Sequence, residues 1–406
     1  MRAYFDHAAT TPMQPDVLAA YTAELARLGN PSSLHASGQG ARRRLEEARE
    51  EIADAVGAKT PSEVILTSGG TEADNLAVKG LFWSRRSADP KRTRVLVSSI
   101  EHHAVMEPAE WLESHEGAQV TWLPVDGQGR VDLGVLRAEL AEHASEIALV
   151  SIMLANNEIG TIQPMAEIVA AAHANGIPVH TDAVQALGQL PLNFAELGVD
   201  AMSLSAHKIG GPVGIGALIL ARHLAPTPVQ HGGGQERGVR SGTLDVAGAV
   251  AFAAAARIAV QDRETESARL GALRDRLVAG ITEAVPEAQL TGANSADGAN
   301  SAERLPNNAH FVFPGCEGDS LLFLLDARGI ESSTGSACQA GVARPSHVLL
   351  ALGKTEDEAR SVQRFSLGHS TTDAEVDRLL EVFPDAWRRA KSAGMVSQTP
   401  AWKAAG

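Results

Sequence analysis

The chain is laid out as short apolar runs separated by amphipathic stretches. Val64–Thr67, Arg94–Ser99, Gln119–Leu123, Ile147–Met153, Ile177–Thr181, Val199–Ser205 and Ile215–Leu220 each read as a strand. Their near-continuous hydrophobicity, in place of strict alternation, marks strands covered on both faces. Between them apolar residues recur at helical spacing. Ala41, Leu45, Ala48, Ile52 and Ala55 alternate with arginines and glutamates, and Asn75–Trp83, Leu133–His143 and Ala166–Asn175 repeat the pattern. Strands alternating with helices predict an α/β fold built on a mostly parallel sheet. In such sheets ligands bind beyond the carboxyl ends of the strands. From Ala247 to about Ala284 the pattern is one long helix leading into a second unit, where Ala309–Phe313 and Ser320–Ala327 read as strand then helix. Thr291–Arg304 contains a near repeat, G-A-N-S-A-D-G-A-N-S-A, expected as a solvated insertion, and the residues after Ala390 are expected to be loosely ordered.

Five of the strand ends carry chemistry. Val199–Ser205 delivers Ser205, His207 and Lys208 into the turn I-G-G-P-V-G. A lysine just past a buried strand is poorly solvated and loses its proton more readily, and a neutral amine can condense with an aldehyde. Val64–Thr67 runs into S-G-G-T-E-A-D-N, a glycine-rich turn leading into a helix whose free amides, with the Thr71 hydroxyl, suit a phosphate, or an ordinary helix start capped by Thr71 and Asp74. Arg94–Ser99 leads to Glu101, His102 and His103, and a histidine here could stack on a flat ring or move protons. Ile147–Met153 leads to L-A-N-N-E-I-G, whose two asparagines could bond a ring hydroxyl or a carboxylate, or build a turn. Ile177–Thr181 leads to Asp182 and Gln185, and an acid at a buried strand end needs a cation such as a protonated pyridine nitrogen.

Three later stretches add candidates. The loop Q-H-G-G-G-Q-E-R-G-V-R-S-G-T-L-D places Arg237, Arg240, Ser241 and Thr243 where they could reach a phosphate. Cys338 lies among Ser, Gly and Ala in E-S-S-T-G-S-A-C-Q-A-G-V-A-R-P, with no apolar pattern to bury it, which makes it a candidate nucleophile. Cys316, after a strand, reads as structural. Arg364, in V-Q-R-F-S-L-G, could clamp a carboxylate through paired hydrogen bonds, or form a surface ion pair.

Composition narrows the partners. The 406 residues are 44% hydrophobic and 4% aromatic with 38 glycines, which suits a two-domain α/β enzyme. A formal charge of −14 argues against nucleic acid or an anionic membrane as main partner. Ala247–Val260 is interrupted by Arg257 and too short to span a bilayer. Two cysteines make no disulfide framework, so a reducing cytoplasm is expected, and the N-terminus lacks a signal peptide's apolar core. No metal site is expected.

Y-F-D-H-A-A-T-T-P (Tyr4–Pro12), G-N-P-S-S-L-H (Gly29–His35), S-A-H-K-I-G-G-P-V-G-I-G, G-G-G-Q-E-R-G-V-R-S-G-T and S-S-T-G-S-A-C together resemble the NifS/IscS cysteine desulfurases of the class V aminotransferase group, over nearly the whole chain. The resemblance implies a fold type I pyridoxal-phosphate transferase: a mostly parallel seven-stranded sheet flanked by helices (residues 16–255), a smaller α+β C-terminal domain (256–390) and an N-terminal segment (1–15) packing with the latter. It implies that Lys208 holds pyridoxal 5′-phosphate covalently, that Asp182 pairs with the pyridine nitrogen and Gln185 bonds the ring oxygen. His102 stacks on the ring and shuttles protons. Gly70, Thr71, Ser205 and His207 hold the phosphate, with Thr243 supplied by the other subunit of a homodimer. Asn156 and Arg364 fix the L-cysteine carboxylate, and Cys338 accepts the sulfur as a persulfide and leaves L-alanine. The sulfur would pass to an acceptor such as an iron–sulfur scaffold protein. The tail K-S-A-G-M-V-S-Q-T-P-A-W-K-A-A-G does not resemble the family tail associated with docking that scaffold, so the acceptor is left open. A selenocysteine lyase or aminotransferase of the same fold would not depend on Cys338, and a cofactor-free sulfur carrier would lack the yellow chromophore.

Overall fold

A computed structural model describes residues 2–293, 303–335 and 345–397, the last four without their side chains. The strands are β1 (Ala3–Tyr4), β2 (Val64–Thr67), β3 (Arg94–Ser98), β4 (Gln119–Leu123), β5 (Ile147–Ser151), β6 (Val179–Asp182), β7 (Ala201–Ser205), β8 (Gly216–Leu220), β9 (Gln289–Leu290), β10 (Asn308–Val312), β11 (Ile330–Glu331) and β12 (Val362–Ser366). Seven of them form one sheet in the order β2-β8-β7-β6-β5-β3-β4. All neighbours run parallel except β8, which is antiparallel to both β2 and β7.

Both faces of this sheet are covered, which is why its strands read as unbroken apolar runs. Along β3, Leu96 enters one hydrophobic cluster while Val95 and Val97 enter the other. On β8, Ala217 and Ile219 face the first and Leu218 and Leu220 the second. Each such leucine, isoleucine or valine contributes roughly 1.5–3 kcal/mol by leaving water. The helix Gly70–Ala88 covers the second face with Ala73, Leu76, Ala77 and Leu81. The helix Ala36–Ala55 covers the first with Leu45, Ala48 and Ile52, the residues whose spacing marked it in the sequence.

The helix Val246–Ala284 belongs to two cores. Its first part packs Ala249, Phe252 and Ala256 into the sheet cluster, and its last part sends Leu270, Leu273, Leu277 and Ile281 into a separate cluster. That second cluster covers the antiparallel sheet β12-β10-β9 and contains Phe311, Phe313, Phe365 and Phe383. β1 pairs in parallel with β11, and Phe5 sits fully buried in the same cluster.

Several boundaries differ from the sequence reading. The helix expected at Asn75–Trp83 starts at Gly70, so its N-terminus directly follows the glycine turn. β5 ends at Ser151: the Ile152 amide still reaches the His180 carbonyl of β6 at 3.1 Å, but the Met153 amide turns away to Glu101 Oε1 at 2.7 Å. β6 runs through Asp182, which therefore belongs to the strand and not to the turn after it. The terminal helix Asp373–Ser397 takes in the first residues of the expected loose tail, because Val376, Leu379, Phe383, Ala386 and Ala390 hold it on the second core and Lys391 pairs with Glu287, while residues 398–406 of that tail lie outside the described residues. Most of the Thr291–Arg304 insertion, residues 294–302, lies outside the described residues. No described helix is long and apolar enough to cross a membrane.

Candidate active site

The carboxyl ends of β2, β3, β5, β6 and β7 open on one cavity of about 380 Å³. Gly70, Thr71, His102, Asp182, Gln185, Ser205, His207, Lys208 and Arg364 all line it.

Lys208 follows β7 in a single helical turn, Ala206–Lys208. Its Nζ donates to the Ala8 carbonyl at 2.5 Å and the Ala9 carbonyl at 2.7 Å. Burial, aided by the positive Arg364, lowers its pKa to about 8, against the opposing pull of Asp182 and Asp6. The two carbonyls come from the N-terminal segment, which β1 and the buried Phe5 tie to the second core. A segment remote in sequence therefore aims the amine.

Asp182 is buried at the end of β6, and its Oδ1 accepts the Val184 amide at 2.8 Å. Burial raises its pKa to about 6. Behind it, Asp74 and Glu101 are buried carboxyls that desolvation pushes far up. These two are thus held as neutral acids, leaving Asp182 as the group able to carry a negative charge against a cationic partner.

His102 caps the helix His103–Glu116, its Nδ1 accepting the Ala104 amide at 3.1 Å. That bond places the proton of the neutral ring on Nε2. Burial, with Lys208 and the neighbouring histidines, lowers its pKa to about 4, so the ring is neutral at physiological pH. His207, also lowered to about 4 by burial, meets Thr10 Oγ1 through Nδ1 at 3.2 Å.

The β2 turn is shaped for an anion. Gly69 has φ +149°, a conformation favouring glycine, and a Cβ on Gly70 would lie 2.8 Å from Val184 Cγ2. The helix starts without a side-chain cap, leaving its first amides available beside Thr71 and Ser205. Glu72, the one acid in its first turn, is drawn to Arg240 at 2.7 Å and to the Ser68 amide. This residue set fits a flat phosphorylated aldehyde: uncapped amides for phosphate, Asp182 for a ring nitrogen, His102 for the ring and Lys208 for the carbonyl carbon.

Other expected residues stand differently. Asn156 does not line the cavity. Its Oδ1 accepts the Glu158 and Ile159 amides, both at 2.9 Å, and its Nδ2 donates to the Ile100 carbonyl at 2.9 Å. The side chain builds the turn, and Asn157 and Glu158 reach the cavity in its place. Thr243 is exposed and outside the cavity of its own chain. Gln185 Nε2 donates to the Ala8 carbonyl at 3.0 Å. Arg364 donates through Nη2 to Asp6 Oδ1 at 2.6 Å and through Nη1 to the Asn157 carbonyl at 3.0 Å, while its buried Nε has no partner among the described residues. Cys338 lies outside the described residues. Cys316 is buried, and desolvation pushes its thiol up to about 12, in keeping with a structural cysteine.

Sequence reasoning gave no role to Asp6, Ala8 and Ala9, nor to His347, whose Nε2 meets the Glu101 carbonyl at 2.9 Å and whose ring lies 5.1 Å from that of His103. The D-H-A-A-T-T run is visible in the sequence, but its contacts span about two hundred residues or more and no local pattern announces them.

The family profile described as aminotransferase class-V matches residues 3–379. An IscS-like cysteine desulfurase of Mycobacterium tuberculosis is 55% identical over 395 residues, covering 97% of this chain and 98% of that protein. A solved NifS-like protein is similar with a TM-score of 0.85 at 36% identity, over 95% of this chain and 99% of the other. A structure titled SspA in complex with cysteine aligns with a TM-score of 0.74 at 34% identity, over 90% and 98% of the two chains.

Proposed function

Because the chain belongs to the aminotransferase class-V family and is similar across nearly its whole length to cysteine desulfurases, we propose that it removes sulfur from L-cysteine with pyridoxal 5′-phosphate as cofactor. The observation carrying this reading is the juxtaposition in one cavity of a buried amine of lowered pKa, Lys208, with the buried carboxyl Asp182, the neutral ring of His102 and the guanidinium Arg364.

The net change is cysteine plus the Cys338 thiol giving alanine plus the Cys338 persulfide. The Cβ–S bond breaks, an S–S bond forms, and the carbon is reduced as the sulfur is oxidised, so no outside oxidant enters. Bound in the cavity, the cofactor supplies an electron sink for the pair released at the substrate Cα. Lys208 holds it covalently and is the base placed to move the Cα proton. Asp182, ionised against a ring cation, keeps the proton on the ring nitrogen, since its two buried carboxyl neighbours remain neutral. His102 donates from Nε2, the nitrogen its helix cap leaves free. Arg364 orients the substrate carboxylate, its Nη2 exchanging Asp6 for the ligand. Cys338 attacks the substrate sulfur.

Thr243, exposed in its own chain, is assigned to the phosphate of a second copy in a homodimer. Sulfur then passes to an acceptor protein, with iron–sulfur cluster assembly among its uses, in a reducing cytoplasm. The helix Val246–Ala284, shared between two cores, supports a boundary near residue 256.

The test is Cys338→Ser. This variant should keep the cofactor chromophore and exchange the Cα hydrogen of L-alanine with solvent, yet release no alanine from L-cysteine. Undiminished alanine release would instead favour a lyase or transaminase of the same fold.

A further inference from the structure

A second cavity, of about 270 Å³, lies on the other side of the partition that carries Lys208. Lys208, Gln185 and Val184 line both cavities. Lys208 Nζ and Gln185 Nε2 both donate to the Ala8 carbonyl, and Ala8 lines only the first cavity, so the polar ends of these two side chains are committed to the cofactor side. The second cavity is walled instead by residues that follow β6, residues beside the start of β10 and the end of β12, and one face of the helix Val246–Ala284.

Its chemistry is one-sided. Asn307 is 7% exposed, and its Nδ2 donates to the Leu367 carbonyl at 3.1 Å, while its buried Oδ1 has no partner among the described residues. Gln189 Oε1, on the same cavity, is buried and likewise unpartnered among them. An unmet buried acceptor costs on the order of 1–3 kcal/mol, which a ligand bringing N–H groups relieves. Asp262 and Glu266, one helical turn apart, add carboxylates to this wall. Glu266 is already bonded through both oxygens to Arg269, at 2.9 and 2.8 Å. Asp262 is exposed and has no ion pair among the described residues. The wall's two histidines, His7 and His369, are kept neutral by burial.

Among the described residues no three His, Cys, Asp or Glu side chains are grouped to hold a metal ion. A free carboxylate, two unmet amide oxygens and the aliphatic surface of Leu187, Ile209 and Ile258 suit an organic cation. The volume falls just under the roughly 300–1,000 Å³ of ordinary small-molecule sites, so its hydrocarbon part is short. We infer that this second cavity binds a compact alkylguanidinium or alkylammonium ion, its N–H groups on Asp262, Asn307 and Gln189 and its hydrocarbon on Leu187, Ile209 and Ile258. A guanidinium, with its donors fixed in one plane, can meet the carboxylate and an amide oxygen together.

The probe is n-butylguanidinium, which, unlike an amine, does not condense with the cofactor aldehyde. Its binding to holoenzyme is read by isothermal titration calorimetry. n-Butylurea, of the same shape but uncharged, should bind at least tenfold more weakly. D262N should weaken binding of the probe at least tenfold and N307L at least fivefold. A259L, which enlarges a side chain on the cavity wall, should abolish it. L-Alanine, followed through the cofactor chromophore, should keep its affinity within twofold when the probe is present, because it occupies the first cavity. The inference is overturned if holoenzyme takes up no probe, if n-butylurea binds as well, if D262N binds the probe as the wild type does, or if probe and L-alanine exclude one another. Displacement by potassium chloride but not by sodium chloride at equal ionic strength would mark a bare-cation site and overturn the organic ligand. Should N307L or A259L fail to fold, D262N, at an exposed position, decides. All of these readings are taken without turnover, so they stand or fall apart from sulfur transfer to Cys338.

Discussion

The pKa of Lys208 sets how readily the protein takes up its cofactor. A free lysine amine titrates near 10.5, whereas burial and Arg364 bring this one to about 8. The difference corresponds to roughly 3 kcal/mol removed from the charged form. At about pH 7.5 roughly a quarter of the Lys208 amines are then neutral, against about one in a thousand for an ordinary lysine. Because only the neutral amine adds to an aldehyde, cofactor loading should rise with pH along a curve centred near 8. The assay mixes cofactor-stripped protein with pyridoxal 5′-phosphate and follows the yellow chromophore from pH 6 to 10. Lys208→Ala should show no such chromophore. Arg364→Gln removes the positive neighbour and should move the midpoint upward, whereas Asp182→Asn removes an opposing charge and should move it downward. A midpoint at or above 10 in the wild type, or a midpoint indifferent to both variants, would refute the claim that burial and these neighbours set the amine.

Two further predictions concern stability. Glu236 accepts both Arg49 Nη atoms, at 2.7 and 2.8 Å, and the Leu66 amide at 2.7 Å, with its side chain almost wholly buried. Glu236→Ala strips Arg49 of its buried partner and leaves it only the half-exposed Glu46 at 3.2 Å and the Val64 carbonyl at 2.6 Å, so it should cost up to about 3–5 kcal/mol and loosen the stretch bearing Thr243, read as a lower denaturation midpoint and faster cofactor loss; an unchanged midpoint would count against the pairing. His7, His180 and His310 have pKa values lowered to about 3 by burial, and His102 to about 4, so each contributes stability that is present above 6.5 and lost as pH falls toward those values. The raised Asp74, Glu101 and Asp182 act in the opposite sense, but with His207, also lowered to about 4, five histidines outnumber three carboxyls, so the melting temperature of the cofactor-stripped protein should drop between pH 7 and 5; a flat or rising melting temperature would contradict this balance.

What could be read ahead of the structure follows from how local each signal is. The seven runs were legible because strands covered on both faces must be apolar throughout, and their ends marked Asp182, His102 and Lys208 because polar groups at such positions need a reason. The asparagines after β5 stayed open for the opposite cause. An asparagine after a strand serves a ligand or its own turn equally well by composition, and only the positions of the Glu158, Ile159 and Ile100 backbone show Asn156 bonded within its turn. The Ala8 and Ala9 carbonyls were invisible because alanine backbone carries no signature of its own, and they reach Lys208 only after β1 has paired with β11. The terminal helix was underestimated because its apolar stripe of Phe383, Ala386 and Ala390 gives way to polar residues before the helix itself ends.

The central claim is that a tethered cofactor at Lys208 lets Cys338 take sulfur from cysteine. It is tested most directly by mixing holoenzyme with one equivalent of L-cysteine, quenching, and weighing the two cysteine peptides while counting the alanine released. The account predicts a Cys338 peptide heavier by one sulfur atom, alanine in equal amount and an unaltered Cys316 peptide. Alanine without sulfur on Cys338, or sulfur on the buried Cys316 instead, would contradict it.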